Sequence, residues 1–130
     1  MSIYSDTVNG VLFLRPGHDV DFEVGKEIRD RLAIATNDGV FHVIIDFSLA
    51  TLVSAATLRI ILDAANRIQR HRGCIVVTGA SPQFGSLLAI SDVLKIVPAF
   101  ALIAEGQAHL QTFMSERNAT LTGEEDEPDN

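Results

Sequence analysis

The apolar residues change their spacing several times along the chain, and each change predicts an element. Ile3 to Val8 and Val11 to Leu14 flank Asn9-Gly10, the dipeptide best suited to a two-residue type I′ turn, so the first fifteen residues read as a β-hairpin that Pro16-Gly17 breaks. Val24, Ile28, Leu32 and Ala35 then recur at helical spacing, predicting a helix that ends at Asn37-Asp38-Gly39, with Asp19 and Asp21 as candidate N-caps. Val40 to Phe47 is a nearly unbroken apolar run carrying Asp46 near its end, the pattern of a strand buried on both faces. Leu58, Ile61, Ala65 and Ile68 form the stripe of a second helix from about Ala55 to His71, widened by Ile60 and Ala64 and closed by Gly73. Cys74 to Val77 is a second buried strand. Ser81-Pro82 opens a third helix with Phe84, Leu87, Leu88 and Ile90.

Between Leu94 and Gly106 two readings compete: a strand over Phe100 to Ala104, or one over Lys95 to Phe100 with a helix beginning near Leu102. The second is preferred because it leaves a last helix long enough to dock Leu110, Phe113 and Met114. The order β-β-α-β-α-β-α-β-α predicts an α/β fold: a mixed sheet of four or five strands with an N-terminal hairpin and about four helices packed on it. The expected organisation is one domain over 1–117 and an acidic, disordered tail over 118–130.

Charge sharpens that division. The net charge is −7 over 130 residues, but Glu124, Glu125, Asp126, Glu127 and Asp129 supply five of the acids, and the preceding residues hold twelve against ten Lys and Arg. The folded body is near neutral and lacks the basic footprint that binding nucleic acid requires. The single cysteine excludes an internal disulfide, no stretch of eighteen apolar residues predicts membrane insertion, and the first seven residues lack the form of a signal peptide, so the chain reads as cytoplasmic.

Few residues suggest chemistry. His18, His42, His71 and His109 fall on different elements, which argues against a shared metal, and no cofactor is expected. Asp19, Asp21 and Glu23 could pass for an acid cluster, but acids at a helix start are more often caps and dipole partners. Cys74 reads as a small core hydrophobe, and the Arg67-to-Arg72 run as a solvated helix end. Gly79 to Gly85 lacks the Gly-Lys-Ser/Thr ending of a phosphate-binding loop.

The most informative segment runs from Val43 to Leu62. It resembles the central motif of STAS (sulphate transporter and anti-sigma factor antagonist) domains: an apolar strand ending in Asp-Leu-Ser, a short loop, then Asp-Ser-Ser-Gly-Leu opening a helix. Asp46-Phe47-Ser48 matches the first part; Ser54 falls at the motif Asp, Ala55 and Ala56 at the two Ser, Thr57 at the Gly and Leu58 at the Leu. Gly17-His18-Asp19-Val20-Asp21 is similar to the family's lead into its first helix. Ala80 to Leu87 and Ile90 to Ile96 are similar to its closing pattern, with Asp92 where Gly is usual. The resemblance covers residues 1 to about 116.

The resemblance implies a non-enzymatic binding module whose partner is both serine kinase-like ATPase and anti-sigma factor, with the first motif Ser as phosphoacceptor. Here that residue is Ala55, whose methyl group cannot accept a phosphoryl group, and Ala56 removes the nearest substitute. Ser54 reads as a helix N-cap, with phosphorylation at Ser54 or Thr57 as the alternative. The expected partner surface is the Thr51–Arg59 segment, including Ser54, Ala55, Ala56, Thr57 and Arg59, beside Asp19 and Asp21. Three other roles remain open: an accessory subunit binding a transporter ATPase in a bacterial lipid transporter, a small ligand- or nucleotide-binding domain using Asp46, Ser54 and Thr57, and a homodimer joined through Leu49, Leu52 and Val53.

Overall fold

The computed structural model describes residues 3–90 and 92–123. Strands β1 (Ile3–Val8) and β2 (Val11–Pro16) form the expected hairpin. Asn9 and Gly10 both take positive φ, 52° and 80°, as a type I′ turn demands. A two-residue strand β3 (Asp19–Val20) leads into helix α1 (Phe22–Asn37). Then come β4 (His42–Asp46), a second short strand β5 (Leu52–Val53), α2 (Ala55–Arg70), β6 (Cys74–Thr78) and α3 (Pro82–Ile90). A 3₁₀ turn at Val93–Lys95 precedes β7 (Ala99–Phe100) and α4 (Ile103–Gly123).

The main sheet runs β1-β2-β4-β6-β7, antiparallel at the hairpin and parallel elsewhere. Each central strand is buried on both faces because alternate side chains enter different cores. Leu12, Leu14, Val43, Ile45, Ile75 and Val77 face the layer that includes Ile28 and Leu32 of α1 with Ile61 and Ile68 of α2. Phe47 and Phe84 extend that core to α3, their rings 4.7 Å apart and edge to face. Ile44 and Val76 point the other way and meet Leu110 of α4.

Several expectations change in detail. The Lys95–Phe100 strand shrinks to Ala99–Phe100: Lys95 and Ile96 donate to Asp92 and Val93 in a tight turn, and Pro98 has no N–H to give a ladder. Strand β2 includes Pro16, which closes it beside Ile3. The left-handed residue after α2 is Arg72, with φ 60°, and Gly73 closes the helix as expected, its amide donating to the Ile68 carbonyl at 2.9 Å. Gly73 is small because a Cβ there would collide with the Phe41 carbonyl. Helix α4 continues past Asn118 to Gly123, while Ser91 and the acidic run Glu124–Asn130 of the expected tail lie outside the described residues.

Candidate functional site

At the carboxyl ends of the parallel strands, two chain segments lie side by side. Strand β3 pairs in parallel with β5, Asp19 opposite Leu52 and Val20 opposite Val53. The Thr51 and Leu52 amides donate to the His18 carbonyl at 2.7 and 3.2 Å, and the Ser54 amide donates to Val20 at 2.8 Å. The lead into α1 and the loop before α2 are thereby fixed to each other. Sequence reasoning expected them as neighbours but not the ladder joining them.

Ser54 is the N-cap of α2: its Oγ accepts from the Thr57 amide at 3.2 Å and lies 2.8 Å from Thr57 Oγ1. Asp21 caps α1 in the same way, accepting from Val24 at 2.9 Å. Asp19 does not cap; it belongs to β3, with its side chain exposed. Ala55 is exposed and Ala56 half-buried on the first turn of α2, whereas Thr57 is fully buried. Thr57 fills the contact between α1 and α2, where a Cβ on Gly25 would come within 2.7 Å of its Oγ1. Arg59 is exposed and pairs with Asp63 at 3.6 Å.

Apolar side chains also stand in solvent on these segments. Phe22, Leu49 and Leu52 are 53%, 49% and 66% exposed, and the exposed acids Asp19, Asp21 and Glu23 accompany them. Lys26 crosses the Phe22 ring at 4.9 Å and meets Glu23 at 3.3 Å. The edge is an apolar patch with a mainly acidic rim.

Beneath it lies a polar cluster that the sequence only half disclosed. Asp46 is completely buried at the end of β4. Its Oδ1 accepts from Thr78 Oγ1 at 2.7 Å; its Oδ2 accepts from Ser48 Oγ at 2.6 Å and from Arg15 Nε at 2.9 Å. Burial pushes this carboxyl up, but the hydrogen bonds from Ser48, Thr78 and Arg15, with the Arg15 charge, outweigh it and hold the group below the ordinary carboxylate range. Gly79 closes the cage with φ 71°, and a Cβ there would come within 2.9 Å of Asp46 Oδ1 and the Ser48 backbone. The arrangement is structural in kind: both oxygens are engaged and neither reaches solvent. An Asp inside an apolar strand pattern signals that a partner must exist; Arg15, thirty-one residues earlier, carries no such mark.

The remaining candidates stay dispersed. His42 stacks edge-on to Phe113, His71 lies flat on Phe41, and His109 meets Phe100. Burial pushes the Cys74 thiol up to about 11, so it is protonated at neutral pH and packs beside Ile44 and Val76. Among the described residues no three His, Cys, Asp or Glu side chains are placed to hold a metal, and no helix is long and apolar enough to cross a membrane.

A family model described as "STAS domain" matches residues 2–106. The fold is similar to a candidate anti-sigma factor antagonist of Thermotoga maritima, with TM-score 0.77 and 15% identity over 84% of this chain and 94% of that one. It is also similar to the Bacillus anti-sigma factor antagonist SpoIIAA in its unphosphorylated form, with TM-score 0.75 and 14% identity over 85% and 97%. A sulfate transporter family protein of Wolinella succinogenes aligns with TM-score 0.70 and 12% identity over 85% and 92%. No curated protein matches the sequence.

Proposed function

The chain belongs to the STAS domain family, and from that premise we propose that it is a regulatory binding module that docks a protein partner through the β3–β5 edge and the first turn of α2. Members of this family are generally binding modules rather than enzymes. The observation that carries the reading is the exposed Ala55 on that turn, with Phe22, Leu49 and Leu52 also uncovered on the segments that the β3–β5 ladder joins. SpoIIAA exists in phosphorylated and unphosphorylated forms. This chain has a methyl group at the position the motif assigns to the phosphoacceptor, which supports a partner bound constitutively or controlled by other means.

Neither nearby hydroxyl suits the missing role. Thr57 is buried against α1, and Ser54 already accepts the orphan amide that opens the helix. The proposed partner is an anti-sigma factor of the serine kinase-like ATPase type, with a mixed apolar and basic face to meet Leu52 and the acids around it. The same edge suits a transporter ATPase in an accessory-subunit role.

Binding measured by calorimetry or pull-down against both ATPase classes decides between them. Ala55→Asp places a carboxylate where family members carry phosphate, and Leu52→Glu charges the centre of the patch. Both variants should keep the wild-type circular dichroism spectrum and lose partner binding at least tenfold. Retention of the partner by both variants at wild-type strength would sink the docking surface.

A further inference from the structure

The main sheet has two outer strands, and they are protected unequally. Strand β7 is two residues long and packs under α4, so it offers almost no ladder to another chain. Strand β1 is six residues long, and no strand lies beyond it among the described residues. A long open edge invites a second chain to extend the sheet, and proteins blunt such edges with proline, lysine, a bulge or a charge. The β1 sequence Ile-Tyr-Ser-Asp-Thr-Val holds no proline or lysine, and its register with β2 runs from Ile3 to Val8 without a bulge. Asp6 is its one charged residue.

The hairpin fixes which backbone groups face outward. Across a two-residue turn the flanking pair exchanges hydrogen bonds, and every second pair after it does likewise. Val8–Val11, Asp6–Phe13 and Tyr4–Arg15 are those pairs, which turns the N–H and C=O groups of Ile3, Ser5 and Thr7 away from β2. The Thr7 amide agrees with that phase: it donates to Asp6 Oδ1 at 3.0 Å, at the exposed edge.

The outward groups are self-complementary. In an antiparallel pairing of two β1 strands centred on Ser5, Ser5 meets its own counterpart and Ile3 meets Thr7, so every outward N–H and C=O finds a partner. The same register sets Asp6 opposite Tyr4 rather than opposite a second Asp6. What opposes the pairing is Asp6 itself, in two ways. Its carboxylate already holds the Thr7 amide that the Ile3 carbonyl of a copy needs. Pairing also draws two Asp6 side chains out of water as diagonal neighbours on one face, roughly 7–8 Å apart, where like charges repel and lost solvation adds to the cost.

We propose that the outer edge of β1 is a latent pairing surface for a second copy of this chain, and that Asp6 keeps it closed. One carboxylate thus holds the protein monomeric. The surface is separate from the β3–β5 edge and stands independently of partner docking there.

The test is analytical ultracentrifugation of the full chain from about 10 µM to about 1 mM, with a tenfold change in dimer affinity equivalent to ~1.4 kcal/mol. The wild type should sediment as a monomer throughout. Asp6→Thr removes the carboxylate without leaving a large apolar side chain, and should dimerise with an affinity at least tenfold above the wild-type limit. Asp6→Asn keeps an acceptor for the Thr7 amide but not the charge, and should fall between the two. In the Asp6→Thr dimer, ¹⁵N–¹H spectra should show the Ser5 and Thr7 amides gaining protection from deuterium exchange as concentration rises. Adding Thr7→Pro should return that variant to a monomer, because proline there gives up no bond to β2 and has no N–H to offer a copy. A monomeric Asp6→Thr across the range, a wild type that pairs as tightly as the variant, or a dimer that protects Leu52 and Ser54 in place of Ser5 and Thr7 would each overturn it.

Discussion

Asp46 is a carboxylate out of reach of water, kept ionised by three donors and one charge. Replacing it with Asn removes the charge from a buried acceptor of three hydrogen bonds, which should cost about 2 kcal/mol rather than the full penalty of a broken buried pair, because the Arg15 guanidinium left behind is partly solvated. The same group sets an acid limit. A carboxyl whose folded pKa is below its unfolded value contributes stability that is complete above the unfolded pKa, near 3.8, and is lost as pH falls through the folded one. Urea midpoints should therefore hold steady from pH 7 to about 5 and decline below about 4, with a shallower acid decline in Asp46→Asn. An equally steep decline in the variant would assign that acid sensitivity to other carboxylates. Ser54→Ala tests the neighbouring cap and should cost about 1 kcal/mol at neutral pH. These two residues differ in legibility. Ser54 could be read as a cap from its place before an apolar-periodic run. Asp46 could be read only as an anomaly, because its partners Arg15 and Thr78 come from other strands and meet it only once the sheet order is fixed.

Helices and long strands were legible because each carries enough residues for a period to repeat: α1 and α2 have sixteen each, and their stripes face the core as spaced. The elements missed were β3 and β5, two residues apiece, too short for alternation to register. Leu52 and Val53 read as a loop because their ladder partner is the separate segment Asp19–Val20. The contact between α1 and α2 was equally hidden. Nothing in the sequence marks Gly25 as the residue facing Thr57, yet it permits the closest approach there. In a free helix Gly→Ala is favourable by roughly 0.5–1 kcal/mol. Here the added methyl meets Thr57 Oγ1 at 2.7 Å, and overpacking of this kind costs about 1–3 kcal/mol. The clash should win, so Gly25→Ala is expected to destabilise the fold. Adding Thr57→Ala removes the obstructing oxygen while leaving the backbone amide to Ser54. The double mutant should then be more stable than the sum of the two single changes implies, as a double-mutant cycle in urea would register. Simple additivity would mean that the helices shift apart without strain.

At the scale of the molecule, cohesion is concentrated in the middle of the sheet, away from the edge proposed to bind. Strand β4 is bonded on both sides, to β2 and β6, and Val43, Ile44 and Ile45 are almost wholly buried. The β3–β5 ladder joins no other strand among the described residues and is two residues deep; Val20 seats it on the core, but Asp19 and Leu52 stand in solvent. Local opening free energies span the range from near zero to the global value, and functional loops fall at the low end. Amides of β4 and β6 should exchange with deuterium only through global unfolding. Those of Thr51, Leu52 and Ser54, though hydrogen-bonded to His18 and Val20, should exchange at least a thousandfold faster, a gap of ~4 kcal/mol. A bound partner should slow that set while leaving β4 unchanged, because a ligand stabilises most where it covers a segment that otherwise opens alone. Protection at Ser54 equal to that at Ile45 in the free protein would mean that edge and core open as one unit, and partner binding would then have to register across the whole sheet.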